Sequence, residues 1–203
     1  MECNEFKLER IAAFRRPALL LAAILSLAFA LRVARCFLTD RVDKDSVLYV
    51  EMARDWAQKG VACAFDRNQR IPPLYVALMA AGEHCGIGAE KAGRAVSVVA
   101  GTLAVLAVFM IGRAMLSSEA LALAGAFLAA VHPYLIRISE DVLRDSLFVC
   151  LELFTLAFAA LGASRERAFL WWTACGCFAA LGCMTRSEGM AIFPVLAIWI
   201  AAR

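Results

Sequence analysis

Charge is what this sequence has least of. Asp, Glu, Lys and Arg make up only 19% of the residues, against 63% hydrophobic, and the mean hydropathy is +0.72. That composition excludes an ordinary water-soluble domain. The formal net charge is only +3, and no basic patch interleaved with aromatics occurs, so nucleic acid is not an expected partner. The chain also lacks an internal repeat and a low-complexity linker. Eight cysteines are present, yet no disulfide framework is. Cys150, Cys175, Cys177 and Cys183 fall inside apolar runs, where small hydrophobic packing is their expected role. Cys175 and Cys177 form C-x-C with no second ligand pair at zinc spacing, so no metal site and no cofactor is assigned. A divalent metal is not indicated. Cys63 and Cys85 share one hydrophilic loop, and their pairing would require that loop to face an oxidising compartment.

What the chain does have is long apolar runs. A bilayer core takes about 20 residues of helix, with a range of about 17 to 25. Segments near 17–37, 95–116, 120–136, 146–163 and 168–185 meet that length, while 189–202 is apolar but shorter. The run from Ile71 to Gly82 is shorter still and is expected to lie in the interface or to re-enter. Backbone polar groups in lipid must be satisfied within the segment, so all of these should be helices. The expected fold class is all-α, a polytopic membrane helix bundle with amphipathic surface helices in a long first outer loop, residues 38–94. The first run is too long for a cleaved signal peptide and reads as a retained anchor. Arg15, Arg16, Arg113, Arg165 and Arg167 fit a cytoplasmic N-terminus. Strict alternation then puts the 38–94 loop, the 137–145 loop and the 185–188 turn on the same outer face.

That first loop opens with "RVDKDSVLYVEMARDWAQKG" (41–60). From Asp45 the spacing is helical. Leu48, Tyr49, Met52, Ala53 and Trp56 share one face, and Glu51, Arg54, Asp55 and Gln58 the other. Such a helix suits the membrane surface, with Tyr49 and Trp56 at headgroup depth, and Gly60 should stop it. Asp45 is either the N-cap or a functional carboxylate facing the membrane, and spacing alone does not separate the two.

"DSVLY" followed by the helix ending at Gly60 and "RIPPLYVALMAAG" resembles the first luminal loop of the GT-C glycosyltransferases. The nearest branch holds the protein mannosyltransferases, the aminoarabinose lipid A transferases and the RgtA/B/C/D-like enzymes. "HPYLIRISEDVLRDSLFVCLELF" resembles that family's third span, second outer loop and fourth span, and "TRSEGMAIFPVLAIW" its R-x-E-G segment. The likeness covers essentially the whole chain, 1–203, which looks like the N-terminal part of a longer family member.

The resemblance implies transfer of a sugar from a polyprenyl-phosphate carrier to a glycan, lipid or protein acceptor in a multi-pass membrane protein, with the bacterial inner membrane as its expected location. Asp45 matches the family's loop-1 aspartate by its spacing to Tyr49 and would be the general base. Asp43 is its nearest rival. Arg70, in "R-x-P-P-L-Y", matches the family pattern and is the expected phosphate-binding residue. Arg32, Arg35 and Arg94 are further cation candidates, or else snorkel to headgroups. Asp145 matches an acidic family position but equally could cap a helix, and Arg186 and Glu188 either bind carrier or acceptor or pair with each other. Glu152, within a span, should face a polar interior, and His132 is expected at a helix end. Two readings of other classes stand beside this one: a transporter or flippase, and a non-catalytic membrane scaffold. The first would require inverted repeats with broken helices in corresponding halves, and neither is found.

Overall fold

The computed structural model describes residues 2–38, 44–66, 70–164 and 168–201. Among the described residues there are helices and no strands. In chain order these are α1 (Glu2–Leu38), α2 (Lys44–Lys59), α3 (Val61–Phe65), α4 (Leu74–His84), α5 (Ala89–Met115), α6 (Glu119–Val131), α7 (Pro133–Arg137), α8 (Asp145–Ser164), α9 (Ala168–Cys183) and α10 (Ile192–Ala201), the last preceded by a 3₁₀ turn, Ser187–Ala191. Asp43 lies outside the described residues. The all-α membrane bundle expected from the composition is what forms.

Among the described residues, three helices are long and apolar enough to cross a bilayer: Arg16–Leu38 of α1, all of α5, and Asp145–Ala163 of α8. The segments 120–136 and 168–185 were expected to do the same, but they fold as shorter helices. At 1.5 Å per residue, α6 with 13 residues is about 20 Å long and α9 with 16 is about 24 Å, against a hydrocarbon core of about 30 Å. The shortening of α6 has a local cause. Pro133 supplies no N–H and disfavours helical backbone at the preceding residue, and His132 is extended (φ −65°, ψ 119°), ending α6 and starting α7. The expectation that His132 marks a helix end therefore holds.

Helix α5 is the hub, touching α1, α2, α4, α6 and α8. Small residues along it let the neighbours approach closely. A Cβ added at Gly93 would fall 2.6 Å from Val142 Cγ1, and one at Gly112 would fall 2.9 Å from the backbone of Ala122. At Gly101 a Cβ would collide with the Ser139 hydroxyl and come within 2.7 Å of Arg32 Nε. One core, Ala100, Ala104 and Ala107 against Cys150 and Phe154, joins α5 to α8; another, Ala28, Val105, Ala126 and Ala130, joins α1, α5 and α6.

The first loop is built as read, with one difference. α2 is amphipathic and ends at Gly60, whose φ of +94° suits glycine. Its apolar stripe, however, is buried in protein. Tyr49, Met52 and Ala53 pack with Tyr75, Val76, Met79 and Ala80 of α4 and with Val142. Trp56 meets Phe65 edge to face at 5.5 Å rather than standing alone. α4, the former interface candidate, is half of this core. The second half of the long loop supplies the apolar partner that a lipid surface was expected to supply. Cys63 and Cys85 are both exposed free thiols.

Two outcomes test this packing. Gly101→Ala should destabilise the purified protein by about 1–3 kcal/mol through overpacking. Gly176→Ala, where nothing lies within 4 Å of the new Cβ, should be neutral or gain about 0.5–1 kcal/mol. Unfolding in detergent measures both, and equal effects at the two glycines would contradict the close-approach reading. Single cysteines placed along 45–59 should label with a helical period, slow at 49, 52 and 53 and fast at 51, 54 and 58. Uniform labelling would dismiss the protein-covered stripe.

Candidate functional site

Three segments far apart in sequence meet at one end of the bundle. They are the first turns of α2, the stretch from Glu140 into α8, and the turn after α9. The stitches are specific. Leu74 N donates to Met184 O (2.9 Å), tying the start of α4 to the end of α9. Arg35, in the last turn of α1, donates from Nε and Nη2 to the two oxygens of the buried Glu140 carboxylate at 2.6 and 3.0 Å, a bidentate pair. The 38–94 loop, the 137–145 loop and the 185–188 turn therefore share an end, as strict alternation required.

Asp45 sits in the first turn of α2, one residue inside the helix start at Lys44, so it is not the cap. Its side chain is exposed. One turn on, Tyr49 is 4% exposed and meets Tyr75 edge to face, with ring centroids 5.8 Å apart. The Arg144 guanidinium stands over the Tyr49 ring, 5.9 Å from its centroid. The phenol is held above its ordinary pKa, first by burial, and it feels the charges of Arg144, Asp45, Asp145 and Arg186. Tyr49 therefore remains a protonated hydrogen-bond donor at neutral pH, at the centre of a charged cluster.

The cluster's second half is an arginine between two acids. Arg186 Nη1 donates to Asp145 Oδ1, and Nη2 donates to Glu188 Oε1 at 3.2 Å. The guanidinium carbon lies 5.7 Å from the centroid of Phe148. The placement follows from how α9 ends. Thr185 N and Arg186 N both donate to Gly182 O, closing the helix, and the chain turns back through the 3₁₀ segment. Gly189 packs directly on the backbone of Gly182 and Cys183, where a Cβ would be 2.9 Å away. The hydrogen bond from Arg186 holds the exposed Glu188 carboxyl below the usual range. The same bond raises the arginine, so both partners stay charged.

Of the sequence candidates, then, Asp45, Tyr49, Asp145, Arg186 and Glu188 come together. Arg70 is exposed in the turn before Pro72, carried to this end by the Leu74–Met184 bond. Arg94 lies on the α1 side, donating to Cys36 O (3.3 Å) and Glu90 Oε1 (3.1 Å). Arg32 neither snorkels nor reaches this end. It is fully buried, and its Nη1 donates to Ala28 O (2.9 Å) and Ala130 O (3.4 Å). Ala130 is in the last turn of α6, whose carbonyls are left open by the break at His132, so Arg32 caps that helix from outside. Asp43 lies outside the described residues. Glu152 packs on Gly182, and its Oε1 is buried with no hydrogen-bond partner among the described residues.

Arg144 and Glu140 are not among the sequence candidates, although both stand in "SEDVLRD", on the N-terminal side of Asp145. Among the described residues no group of three or more His, Cys, Asp and Glu side chains is placed to hold a metal ion. Among the described residues, the cluster offers a carboxylate with no hydrogen bond (Asp45), a buried phenol and two guanidiniums, of which Arg186 is already paired.

Residues 70–203 match the family model described as dolichyl-phosphate-mannose-protein mannosyltransferase; this stretch holds Arg70, Asp145, Arg186 and Glu188, while Asp45 and Tyr49 precede it. No curated protein and no solved structure gives a significant match. The match covers well over half of a chain whose described residues form an all-helical membrane bundle. The chain belongs to the dolichyl-phosphate-mannose-protein mannosyltransferase family, membrane glycosyltransferases of the GT-C type.

Proposed function

We propose that this protein transfers a sugar from a polyprenyl-phosphate carrier to an acceptor hydroxyl at the outer membrane face, with Asp45 as the general base. The observation that carries the reading is the convergence on Tyr49 of Asp45 from α2, Arg144 and Asp145 from the start of α8, and Arg186 from the turn after α9. In the step, the acceptor oxygen bonds to the anomeric carbon while the bond from that carbon to the phosphate oxygen breaks. Asp45 takes the hydroxyl proton, and the carrier phosphate leaves with the electron pair. A carboxylate in that role must be reachable from water and unpaired, and Asp45 is exposed with no hydrogen bond among the described residues. Tyr49 donates its phenolic proton toward donor or acceptor oxygens. Asp145 and Glu188 hold Arg186 at the mouth of the cluster, where it meets carrier or acceptor. Arg70 approaches the phosphate from the other side of the same end.

The acceptor is a glycan, a lipid or a protein, and the membrane is the bacterial inner membrane with the N-terminus cytoplasmic. Arg16 before the first span supports that orientation. Membership in a glycosyltransferase family displaces the transporter alternative.

Asp45→Asn keeps the shape of the side chain but takes no proton. Transfer from a polyprenyl-phosphate-mannose donor, measured in membranes, should fall by about 10²-fold or more, the typical loss of a general base. Asp43→Asn should cost much less. Near-wild-type transfer by Asp45→Asn, or a larger loss at Asp43, would sink the assignment. Asp145→Asn and Arg186→Gln should each lower transfer, and together should fall short of their sum by about 0.5–3 kcal/mol, as coupled neighbours do. Additivity within about 0.3–0.5 kcal/mol would show that the pair does not act as a unit.

A further inference from the structure

We propose that Arg144, rather than Arg186, is the guanidinium that receives the carrier's phosphate. The inference rests on the glycosyltransferase reading and deepens it. The arginines at this end of the bundle differ in what already occupies them. Both Nη atoms of Arg186 are engaged by Asp145 and Glu188. Arg35 is spent on Glu140, and Arg94 on Glu90 and the Cys36 carbonyl. Arg70 and Arg137 are exposed and unseated. Among the described arginines of this end, Arg144 alone combines three properties: it is half-buried, it is seated on an aromatic ring, and no described carboxylate lies within ion-pair distance of it.

Each property bears on phosphate binding. Half-burial weakens solvent screening, so an anion gains more there than at an exposed arginine. Seating on Tyr49 fixes the guanidinium plane in advance and reduces the ordering cost of a bidentate contact. The free charge makes the site ready for an anion without first breaking an internal pair. Tyr49 also ties Arg144 to Asp45, four residues earlier on the same helix. Phosphate and base would thus be held on the two sides of one ring. The carrier-linked sugar phosphate is a diester with one negative charge, and the departing carrier phosphate is a monoester with up to two. Arg144 therefore binds the leaving state more strongly than the bound donor, which is how such a cation lowers the barrier.

The test is equilibrium binding to the full chain in lipid nanodiscs, with a short-chain polyprenyl phosphate and the matching polyprenol as probes. Wild type should prefer the phosphate. Arg144→Gln should lose about 10- to 100-fold in phosphate-lipid affinity, the scale of a lost charge-assisted contact, with polyprenol binding unchanged. Arg144→Lys, which keeps charge and ring contact but not the fork, should fall between them. Thermal unfolding of each variant checks that the fold persists. Wild-type phosphate affinity in a folded Arg144→Gln, or a loss that appears at Arg70→Gln or Arg186→Gln instead, would overturn the proposal while leaving the transferase reading intact. A wild-type protein that does not distinguish phosphate from alcohol would overturn both.

Discussion

The organising constraint of this molecule is a buried seam of hydroxyl groups around Ser97. In a membrane protein each enclosed polar group must find a partner within the protein, since lipid provides none. Ser97 is fully buried on α5, and its Oγ lies 3.3 Å from the Tyr75 hydroxyl and donates to Leu143 O at 3.2 Å. Its carbonyl accepts from Ser146 Oγ at 2.7 Å, and Ser146 in turn lies 3.2 Å from Ser139 Oγ. Tyr75 also contacts Gly93 O (3.2 Å). These bonds are reachable only because Gly93 and Gly101, one helical turn either side of Ser97, carry no side chain. A bulkier α5 would separate the partners and leave several hydroxyls unsatisfied.

The candidate site depends on that seam at one remove. Tyr75 is the edge against which Tyr49 rests, and Tyr49 is the ring on which Arg144 rests. Ser139 and Ser146 bracket the stretch that contains Glu140, Arg144 and Asp145, so the seam sets the height at which the second loop crosses α5. Arg35 and Glu140 then lock that loop to α1, and Asp145 locks α8 to Arg186. Buried uncharged hydroxyls thus position the charged side chains at this end of the bundle.

Two ionisable side chains lie deeper. Arg32 donates to two backbone carbonyls, yet its Nε and Nη2 have no partner among the described residues. Glu152 has a buried oxygen in the same condition against Gly182. Buried charges of this kind are costly. For Arg32 the compensation is visible: the open end of α6 is a cluster of unpaired carbonyls carrying partial negative charge, and a guanidinium placed there offsets both deficits. The break at Pro133 and the arginine 101 positions earlier therefore form one structural device. For Glu152 the structure offers no comparable account.

Much of this protein is set by local sequence. Hydrophobic composition forces the chain into lipid, and lipid forces helices. The 3.6-residue period of 45–59, Gly60 after it and Pro133 within an apolar run are local signals, and each has the expected local effect. Five of the candidate residues were singled out by their resemblance to family motifs, and the fold brings those five together. What the chain could not disclose alone was the state of each polar group. Arg32, Arg94, Arg144 and Arg186 read alike as arginines near span ends. One proves a buried cap, two are paired, and one has no ion-pair partner among the described residues. The apolar stripe of α2 likewise reads as lipid-facing until α4 covers it. The physical reason is range. Transfer free energy and helical period depend on neighbours a few residues away, whereas charge pairing depends on which helices cross, here between residues up to about a hundred positions apart.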